Sequence, residues 1–399
     1  MATQDAKKCS LEGVVTDIRW NLATPLARLG TGLRLAFTLR VLFLGAMGTF
    51  LMLFGWSLLD HFVAPSIAPE QFGEVQQVGY QSGETFDEMQ QLTWSSSKDV
   101  FSTDTLYGKW QVMTDPFIGV IPPKTRATFA LYELVRFLWM VFVWGIFGSA
   151  ICRIAACSYA RNYHITFTQS LNYAKKRYRS FVGGPLLILA IFAVLTLPIA
   201  LGGLLIRLAS LQWGVGLLWG CALVIGVILA MLTVMLVLGW PLMFAAVATE
   251  GVDTFGAISR AFSYIVRRPF YFFFNLVGAV VAGTFGWIFL GCFVDLISYS
   301  ATSALSWGLT AENLQLDSAK FAPEGIETIT FWTDTLRIFA SGFVFGYFFV
   351  AMSAIYSNLR KSVDETEFSE VYLDSSNTTE KAYDIVQRVL DAENQKPKA

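Results

Sequence analysis

The feature that most constrains this chain is the length of its charge-free runs. Residues 208–249 contain no Asp, Glu, Lys or Arg over 42 positions, and residues 180–206 form a second such run of 27. A charged side chain at the centre of a bilayer costs about 2.5–3.5 kcal/mol on insertion scales. A helix of ~20 apolar residues covers the hydrocarbon of a membrane. These runs therefore predict an integral membrane protein.

Apolar stretches of this length recur along the chain and predict an all-α integral membrane protein. Charged residues make up 15% of the sequence, well below the ~25% usual for soluble domains. Six transmembrane helices are predicted, over residues 41–59, 134–157, 181–206, 214–237, 270–294 and 338–356. The run 208–249 is longer than one span needs. It fits a longer tilted helix, a helix with an interfacial continuation, or two short helices.

The distribution of basic residues favours six spans. Residues 153–180 carry six Lys/Arg and no acid, whereas residues 60–133 carry ten acids and four basic residues. Because basic residues are enriched in cytoplasmic segments, this alternation predicts that the N- and C-termini are both cytoplasmic. Dividing 208–249 into two spans would place Arg267 and Arg268 outside, so we prefer a single span there.

The segments between the spans follow from this topology. The predicted cytoplasmic segments are residues 1–40, 158–180, 250–269 and the acidic tail 357–399. The predicted extracytoplasmic segments are a small lobe, residues 60–133, and the acidic loop 295–337. Three cytoplasmic segments are expected to form amphipathic helices at the membrane interface. The clearest pattern lies in residues 253–268, where apolar side chains recur at helical spacing (Phe255, Ile258, Phe262 and Ile265).

Residue patterns typical of catalysis or metal binding are missing from the sequence. The two histidines, His61 and His164, are predicted on opposite sides of the membrane, and the five cysteines form no CxxC pair. The middles of the predicted spans carry no ionisable group of the kind that couples transport to ions. Arg136, near the outer end of the second span, is expected to extend to the interface. We expect no catalytic site, no metal, no cofactor and no nucleic-acid partner.

Basic side chains beside the spans are the candidate lipid contacts. Each Lys or Arg near an anionic leaflet contributes about 1 kcal/mol of attraction, although ordinary topology explains the same charges. The candidates form two clusters (Lys175, Lys176, Arg177 and Arg179; Arg267 and Arg268).

Small residues spaced four apart are the candidates for helix packing. Gly342 and Gly346 form a GxxxG pair in the sixth span, and Gly216 and Gly220 form another in the fourth. Ala279 and Gly283 give a looser version in the fifth. Contact within the chain and homo-oligomerisation are both open for these pairs.

Residues 250–264 and the following Arg268-Pro269 carry a resemblance to a known family. Glu250, Asp253 and Arg260 lie in a segment that reads Glu-Gly, then Ala-x-x-Arg-Ala-Phe. It resembles the interfacial segment of poorly characterised bacterial six-span membrane proteins, particularly planctomycete ones, and these are similar to the membrane domain of some glycerophosphodiester phosphodiesterases. The resemblance implies a helical bundle in the bacterial inner membrane, with no catalytic residues to carry over. A phosphodiesterase domain is not present in the sequence.

Two functions are compatible with these features. The first is a non-enzymatic multi-pass membrane protein with a structural, lipid-organising or accessory role, using membrane lipids and a cytoplasmic partner of the tail. The alternative is a permease or lipid-handling transporter with a cavity between its helices. A solidly packed bundle favours the first, and a cavity open to one side favours the second.

Overall fold

The computed structural model describes residues 25–63, 127–161, 165–205, 212–307, 323–366 and 370–372, and single residues between 106 and 116. All regular structure in this part of the chain is helical. In chain order the helices are α1 (Pro25–Ala36), α2 (Leu39–Val63), α3 (Ala127–Arg161), α4 (Phe167–Lys176), α5 (Tyr178–Leu205), α6 (Gln212–Glu250), α7 (Thr254–Arg267), α8 (Pro269–Trp307) and α9 (Pro323–Asp364).

Six of the described helices are long and apolar enough to cross a membrane, namely α2, α3, α5, α6, α8 and α9. The prediction of an all-α membrane protein with six spans is thereby confirmed. α6 is one continuous helix with Pro241 inside it, so the long charge-free run does not divide into two spans. Pro241 lies within residues 239–249, which are all buried. Packing on this stretch compensates for the hydrogen bond that a proline removes from a helix.

The extracytoplasmic loop between the last two spans is shorter than the predicted 295–337. α8 continues to Trp307, and α9 already begins at Pro323. Hydroxyl side chains in these extensions bond to the helix itself. The Thr302 hydroxyl, for example, donates to the Ser298 carbonyl at 2.9 Å. A polar side chain satisfied in this way does not end a helix, and for this reason polar composition misplaced the boundary.

The predicted start of the tail at residue 357 is also wrong, because α9 continues to Asp364. The helix ends where Glu365 adopts a positive φ of 55°, a conformation common at helix C-termini. The amphipathic pattern predicted over residues 378–394 lies outside the described residues.

The predicted outer lobe 60–133 lies mostly outside the described residues, but three of its residues are in the core of the bundle. Leu106, Trp110 and Met113 are all buried. The indole Nε1–H of Trp110 donates to the Val344 carbonyl of α9 at 3.0 Å. These three residues therefore belong to the bundle and not to a separate lobe.

α9 is the central helix of the bundle, and α1, α2, α3, α6 and α8 all pack against it. Of its most apolar 18-residue window, 89% is buried, whereas the corresponding value for α5 and for α6 is 6%. α5 and α6 pack against each other, and the core incorporates mainly their ends near residues 181–188 and 236–249. The rest of this helical pair has its large apolar side chains mostly exposed at the surface of the bundle.

Close approach of α2 and α9 depends on Gly342. A Cβ atom added at Gly342 would lie 2.4 Å from the Leu42 carbonyl oxygen and 2.5 Å from the Ala46 backbone nitrogen. Both are backbone atoms, which cannot move aside as a side chain can. One turn further, a Cβ at Gly346 would lie 3.1 Å from a side-chain carbon of Val41. This is the small-residue geometry that lets membrane helices meet closely.

The glycines of α6 have different surroundings. A Cβ atom at Gly216 or Gly220 would have no atom within 4 Å, so neither residue packs against another part of the described chain. Gly283 of α8 is enclosed, because a Cβ there would lie 2.4 Å from side-chain atoms of Leu106 and Tyr347. The neighbouring Ala279 is buried, and its carbonyl accepts from the Tyr347 hydroxyl at 3.0 Å.

The short helices α4 and α7 lie at the end of the bundle where α3, α6 and α9 finish and where α5 and α8 begin. α4 packs on α3 and α5, and α7 packs on α5, α6, α8 and α9. We call this the basic end, because it carries the predicted basic clusters. α7 buries Ala257, Ala261, Tyr264 and Ile265, whereas Phe255, the first residue of the predicted apolar stripe, is 69% exposed.

Candidate functional site

The C-terminus of α6 is the point at which the elements of the basic end meet. The last carbonyls of a helix lack partners within the helix and carry partial negative charge. Here the Val247 carbonyl accepts from the Tyr173 hydroxyl, and the Ala248 carbonyl accepts from the Arg153 guanidinium, both at 2.8 Å. The Thr249 carbonyl accepts from the backbone N–H of Tyr372, also at 2.8 Å. Donors from three other parts of the chain thus form hydrogen bonds with the last carbonyl groups of α6.

Arg153 and Tyr173 form one unit in this arrangement. The Arg153 guanidinium is fully buried and lies 4.2 Å from the centre of the Tyr173 ring. Burial raises the pKa of Tyr173 to about 12, so its hydroxyl is a neutral donor at physiological pH. A cation over an aromatic face and a helix C-terminus both favour the charged arginine.

The Glu-Gly of the family-like segment forms the turn between α6 and α7. Gly251 has φ +65° and donates its N–H to the Val247 carbonyl at 3.0 Å, the geometry that favours glycine after a helix. The Asp253 carboxylate then accepts from the Gly256 N–H at 3.0 Å and caps α7. These features of the segment therefore have a structural explanation.

The buried carboxylate of Glu250 is surrounded by donors, and we call Glu250, Arg260, Tyr356 and Arg360 the Glu250 cluster. The Glu250 side chain is only 6% exposed, and Arg360 Nε lies 3.2 Å from Oε1. Arg260 of α7 pairs with the other carboxylate oxygen, and the Tyr356 hydroxyl of α9 donates to Oε1. A carboxylate removed from water in this way requires such partners. The cluster joins α6, α7 and α9.

A second polar contact between α7 and α9 lies beside the Glu250 cluster. The Tyr264 hydroxyl donates to the Asp364 carboxylate. Burial, together with this hydrogen bond, raises the pKa of Tyr264 to about 12. The phenol is therefore protonated at neutral pH, as its role as a donor requires.

A cleft of about 670 Å³ opens between the Glu250 cluster and the described part of the tail. Glu370 and Tyr372 form its far wall, and Arg360 donates to the Glu370 carbonyl at 2.6 Å. Arg28 of α1 lies in an adjoining narrow space with Arg360. Burial lowers the pKa of Arg28 to about 10, so it remains charged at neutral pH. Acidic and basic groups are both present in the cleft, which therefore shows no strong preference for one sign of charge.

Five of the six candidate lipid-contact residues are exposed at the basic end, namely Lys175, Lys176, Arg179, Arg267 and Arg268. Arg177 differs, because its guanidinium donates to the Gly251 carbonyl and lies 4.7 Å from the centre of the Tyr372 ring. The structure therefore separates inward-facing arginines, which hold the fold, from outward-facing basic residues, which face the surroundings.

A separate polar cluster lies at the opposite end of the bundle. Arg136 is only 2% exposed, lies 3.4 Å from Glu133 and stands 4.4 Å above the Trp56 ring. The expectation that Arg136 extends to the interface is therefore wrong. Nearby, the Tyr132 hydroxyl donates to Asp60, which joins the end of α2 to the start of α3. Close charged and aromatic partners on α2 and α3 favour burial of this arginine over its extension to water.

The described residues contain no group of three or more His, Cys, Asp or Glu side chains that could hold a metal ion. None of the four described cysteines forms a disulfide, and Cys152 and Cys157 are buried. His61 is described, whereas His164 is not. The polar groups that the structure brings together at the basic end form hydrogen bonds and ion pairs with each other.

Sequence reasoning identified Glu250, Asp253 and Arg260 but missed their partners. Arg360 and Tyr356 lie about 100 residues further along the chain and carry no local pattern. The one available signal was the position of Glu250 at the end of a long apolar helix, where a carboxylate requires a cation nearby.

Comparisons with protein-family models, with curated proteins and with solved structures found no match to this chain. The resemblance of residues 250–264 to bacterial six-span membrane proteins stays a prediction.

Proposed function

We propose that this chain is a non-enzymatic, multi-pass membrane protein with a lipid-organising or accessory role, and that its basic end binds anionic lipid headgroups. The observation that carries the proposal is the exposure of Lys175, Lys176, Arg179, Arg267 and Arg268 beside the first turns of α5 and α8. Positively charged side chains at such junctions lie at headgroup depth.

The basic residues of this end fall into two groups, one bonded inside the bundle and one exposed, and this difference supports the proposal. Arg153, Arg177, Arg260 and Arg360 are engaged with carbonyls or carboxylates inside the bundle. Folding therefore explains these four charges, whereas the other five basic side chains are exposed at the surface. The positive-inside rule places the basic end, and with it both termini, in the cytoplasm. We further propose the bacterial inner membrane as the location.

Exposed apolar side chains at the basic end also fit a position of this end at the depth of the lipid headgroups. Phe270 is the second residue of α8 and is 89% exposed, and Val266 near the end of α7 is 60% exposed. Both flank Arg267 and Arg268. Apolar and basic side chains that alternate at one edge are typical of helices that lie at a membrane interface.

The test is native mass spectrometry of the full chain released from mild detergent after purification with phosphatidylglycerol. Replacing the five exposed basic residues with Gln should reduce the number of retained phosphatidylglycerol molecules. Each Lys or Arg near an anionic leaflet contributes about 1 kcal/mol of attraction, so the combined loss from five substitutions is expected to be large. The matched control replaces basic residues of the predicted outer segment with Gln (Lys98, Lys109, Lys124 and Arg126) and should leave retention unchanged. Equal retention by the five-residue variant and the control would refute headgroup binding.

The cleft at the basic end favours a second candidate, a permease or lipid-handling transporter. Such a protein needs a passage from this cleft toward mid-membrane depth. Between the cleft and the middle of the bundle lie buried side chains of the core. Among them are Phe244 and Phe349, whose ring centroids are 5.9 Å apart. Reconstitution with fluorescent phospholipids tests this candidate. Protein-dependent movement of lipid between leaflets would establish transport and overturn the accessory role.

A further inference from the structure

Two threonine hydroxyls at the basic end lack hydrogen-bond partners. The Oγ1 atoms of Thr249 and Thr366 are both buried, and neither has a partner among the residues that the structure describes. Thr249 is only 3% exposed, and most buried hydroxyls in proteins are hydrogen-bonded. Thr233, in the same helix as Thr249, follows this rule, because its hydroxyl donates to the Leu229 carbonyl at 2.9 Å. The two exceptions are suited to form hydrogen bonds with a bound ligand.

Both of these threonines line the cleft of about 670 Å³ and also the narrow space that adjoins it. Arg360 lines the two spaces as well, whereas Arg28 lines only the narrow one. The volume of the cleft is typical of a site for a small ligand. The junction of the two spaces therefore combines two threonine hydroxyls with two guanidinium groups.

These four donor groups suit a phosphate. Guanidinium groups bind phosphate through paired hydrogen bonds, and a phosphate group carries more acceptor oxygens than a carboxylate does. Arg28 lies in the first turn of α1, where the helix dipole also favours an anion. Among the described residues that line the narrow space, none is acidic. The narrow end of the site therefore favours a negatively charged group.

Acidic side chains line the wide part of the cleft. Asp364 and Glu370 line the cleft but not the narrow space, and Asp364 lies one helical turn beyond Arg360, at the C-terminus of α9. The Tyr264 hydroxyl donates to Asp364 Oδ2, so Oδ1 remains as an acceptor. The Glu250 carboxylate, in contrast, has donors at both oxygens. Because a helix C-terminus also favours a cation, this part of the cleft suits an ammonium group.

We propose that the cleft binds a zwitterion of the phosphoethanolamine type. Its phosphate accepts from Arg28 and Arg360 and from the hydroxyls of the two threonines. Its ammonium group donates to Asp364, about 5–6 Å away along α9, the distance between neighbouring turns of a helix. Free phosphoethanolamine and the headgroup of phosphatidylethanolamine share this chemistry. The five exposed basic residues do not line the cleft, so this proposal does not rest on the binding of anionic headgroups and can fail independently of it.

The experiment is calorimetric titration of O-phosphoethanolamine into the full chain in nanodiscs of phosphatidylglycerol, which carries no ammonium group. Thr249→Val should weaken binding by about tenfold, as expected for one lost hydrogen bond to a charged group. The same change should not lower stability toward unfolding, because the hydroxyl has no partner in the fold. The matched control is Thr233→Val, the same substitution in the same helix, which should leave affinity unchanged. Thr366→Val carries the test if Thr249→Val does not accumulate.

The ammonium end is tested with ethyl phosphate, which lacks the amine. The native protein should bind O-phosphoethanolamine about tenfold more tightly than ethyl phosphate, a difference of ~1.4 kcal/mol. Asp364→Asn keeps an acceptor for the Tyr264 hydroxyl but removes the negative charge. It should weaken the binding of O-phosphoethanolamine to the level of ethyl phosphate and leave ethyl phosphate unaffected. Equal affinity of the native protein for the two compounds would overturn the assignment of a zwitterion.

Native mass spectrometry distinguishes the two sources of the ligand. After purification with an equal mixture of phosphatidylethanolamine and phosphatidylglycerol, a headgroup ligand predicts retained phosphatidylethanolamine that is lost in Thr249→Val but kept in Thr233→Val. Binding of O-phosphoethanolamine without this retention would assign the cleft to the free compound. If Thr249→Val and Thr233→Val do not differ in either measurement, or if Thr249→Val loses stability together with binding, the proposal is overturned and the hydroxyls belong to the fold alone.

Discussion

Replacing Gly342 with Ala tests how closely α2 and α9 must approach. The new methyl carbon would lie 2.4 Å from the Leu42 carbonyl oxygen and 2.5 Å from the Ala46 nitrogen, against 3.4 Å or more for ordinary contact. The two backbones would have to separate locally by about 1 Å. Overpacking of a core costs about 1–3 kcal/mol, and we expect the upper part of this range because both clashing atoms belong to a helix backbone.

Two further glycines provide graded controls for this prediction. A Cβ atom at Gly346 would lie 3.1 Å from a side-chain carbon of Val41 and 3.3 Å from its backbone oxygen. Both distances are well above those at Gly342, so we expect Gly346→Ala to cost less than about 1.5 kcal/mol. Gly220→Ala meets no atom within 4 Å. It should be neutral or stabilising by up to about 1 kcal/mol through helix propensity.

The assay is equilibrium unfolding of each variant in mixed micelles of dodecyl maltoside and SDS, followed by tryptophan fluorescence. The expected order of stability is Gly220→Ala, then Gly346→Ala, then Gly342→Ala. A Cβ atom added at Gly45 of α2 would clash with the backbone carbonyl of Gly342. A Gly45→Ala/Gly342→Ala double variant should therefore lose less than the sum of its single changes, because both act on the same contact. Equal stability of the Gly342 and Gly220 variants would refute the packing argument. Altered oligomeric state of the Gly220 variant would instead assign that glycine to contact between copies.

Three other predictions follow from the polar clusters. Gly251→Ala should cost about 1–3 kcal/mol, because φ is +65° and a Cβ would lie 2.6 Å from the Tyr372 ring. Tyr372→Ala in the same chain should relieve only the steric part, as measured by unfolding and by proteolysis of the tail. The raised pKa of Tyr264, about 12 against an ordinary 10, predicts stability that is present below pH 10 and lost as pH rises toward 12. Tyr264→Phe should lose less stability than the native protein over that interval, and an equal loss would contradict the assignment. Arg136→Met should cost about 3–5 kcal/mol, because it leaves the buried Glu133 without its cation. The added change Glu133→Gln should recover part of this loss in the same unfolding assay, and no recovery would show that the two charges are not coupled.

Only those parts of the candidate site that depend on neighbouring residues in the sequence could be predicted. The Asp253 cap and the Gly251 turn follow from residue types that specify helix ends within a few positions. The ion pair between Glu250 and Arg360 joins helices about 100 residues apart. Its formation depends on how α6 and α9 pack, and one sequence carries no pattern for that packing.

The sequence by itself determined that this chain crosses the membrane six times. Each span follows from the local cost of placing charge in hydrocarbon, and this cost does not depend on neighbouring helices. Only the tertiary structure decided that α9 forms the core, that most of α5 and α6 is not buried against the rest of the described chain, and that Trp110 lies within the bundle. Lipid tails and protein interiors are similarly apolar. Hydrophobicity therefore marks what is buried in the membrane without distinguishing burial against lipid from burial against protein.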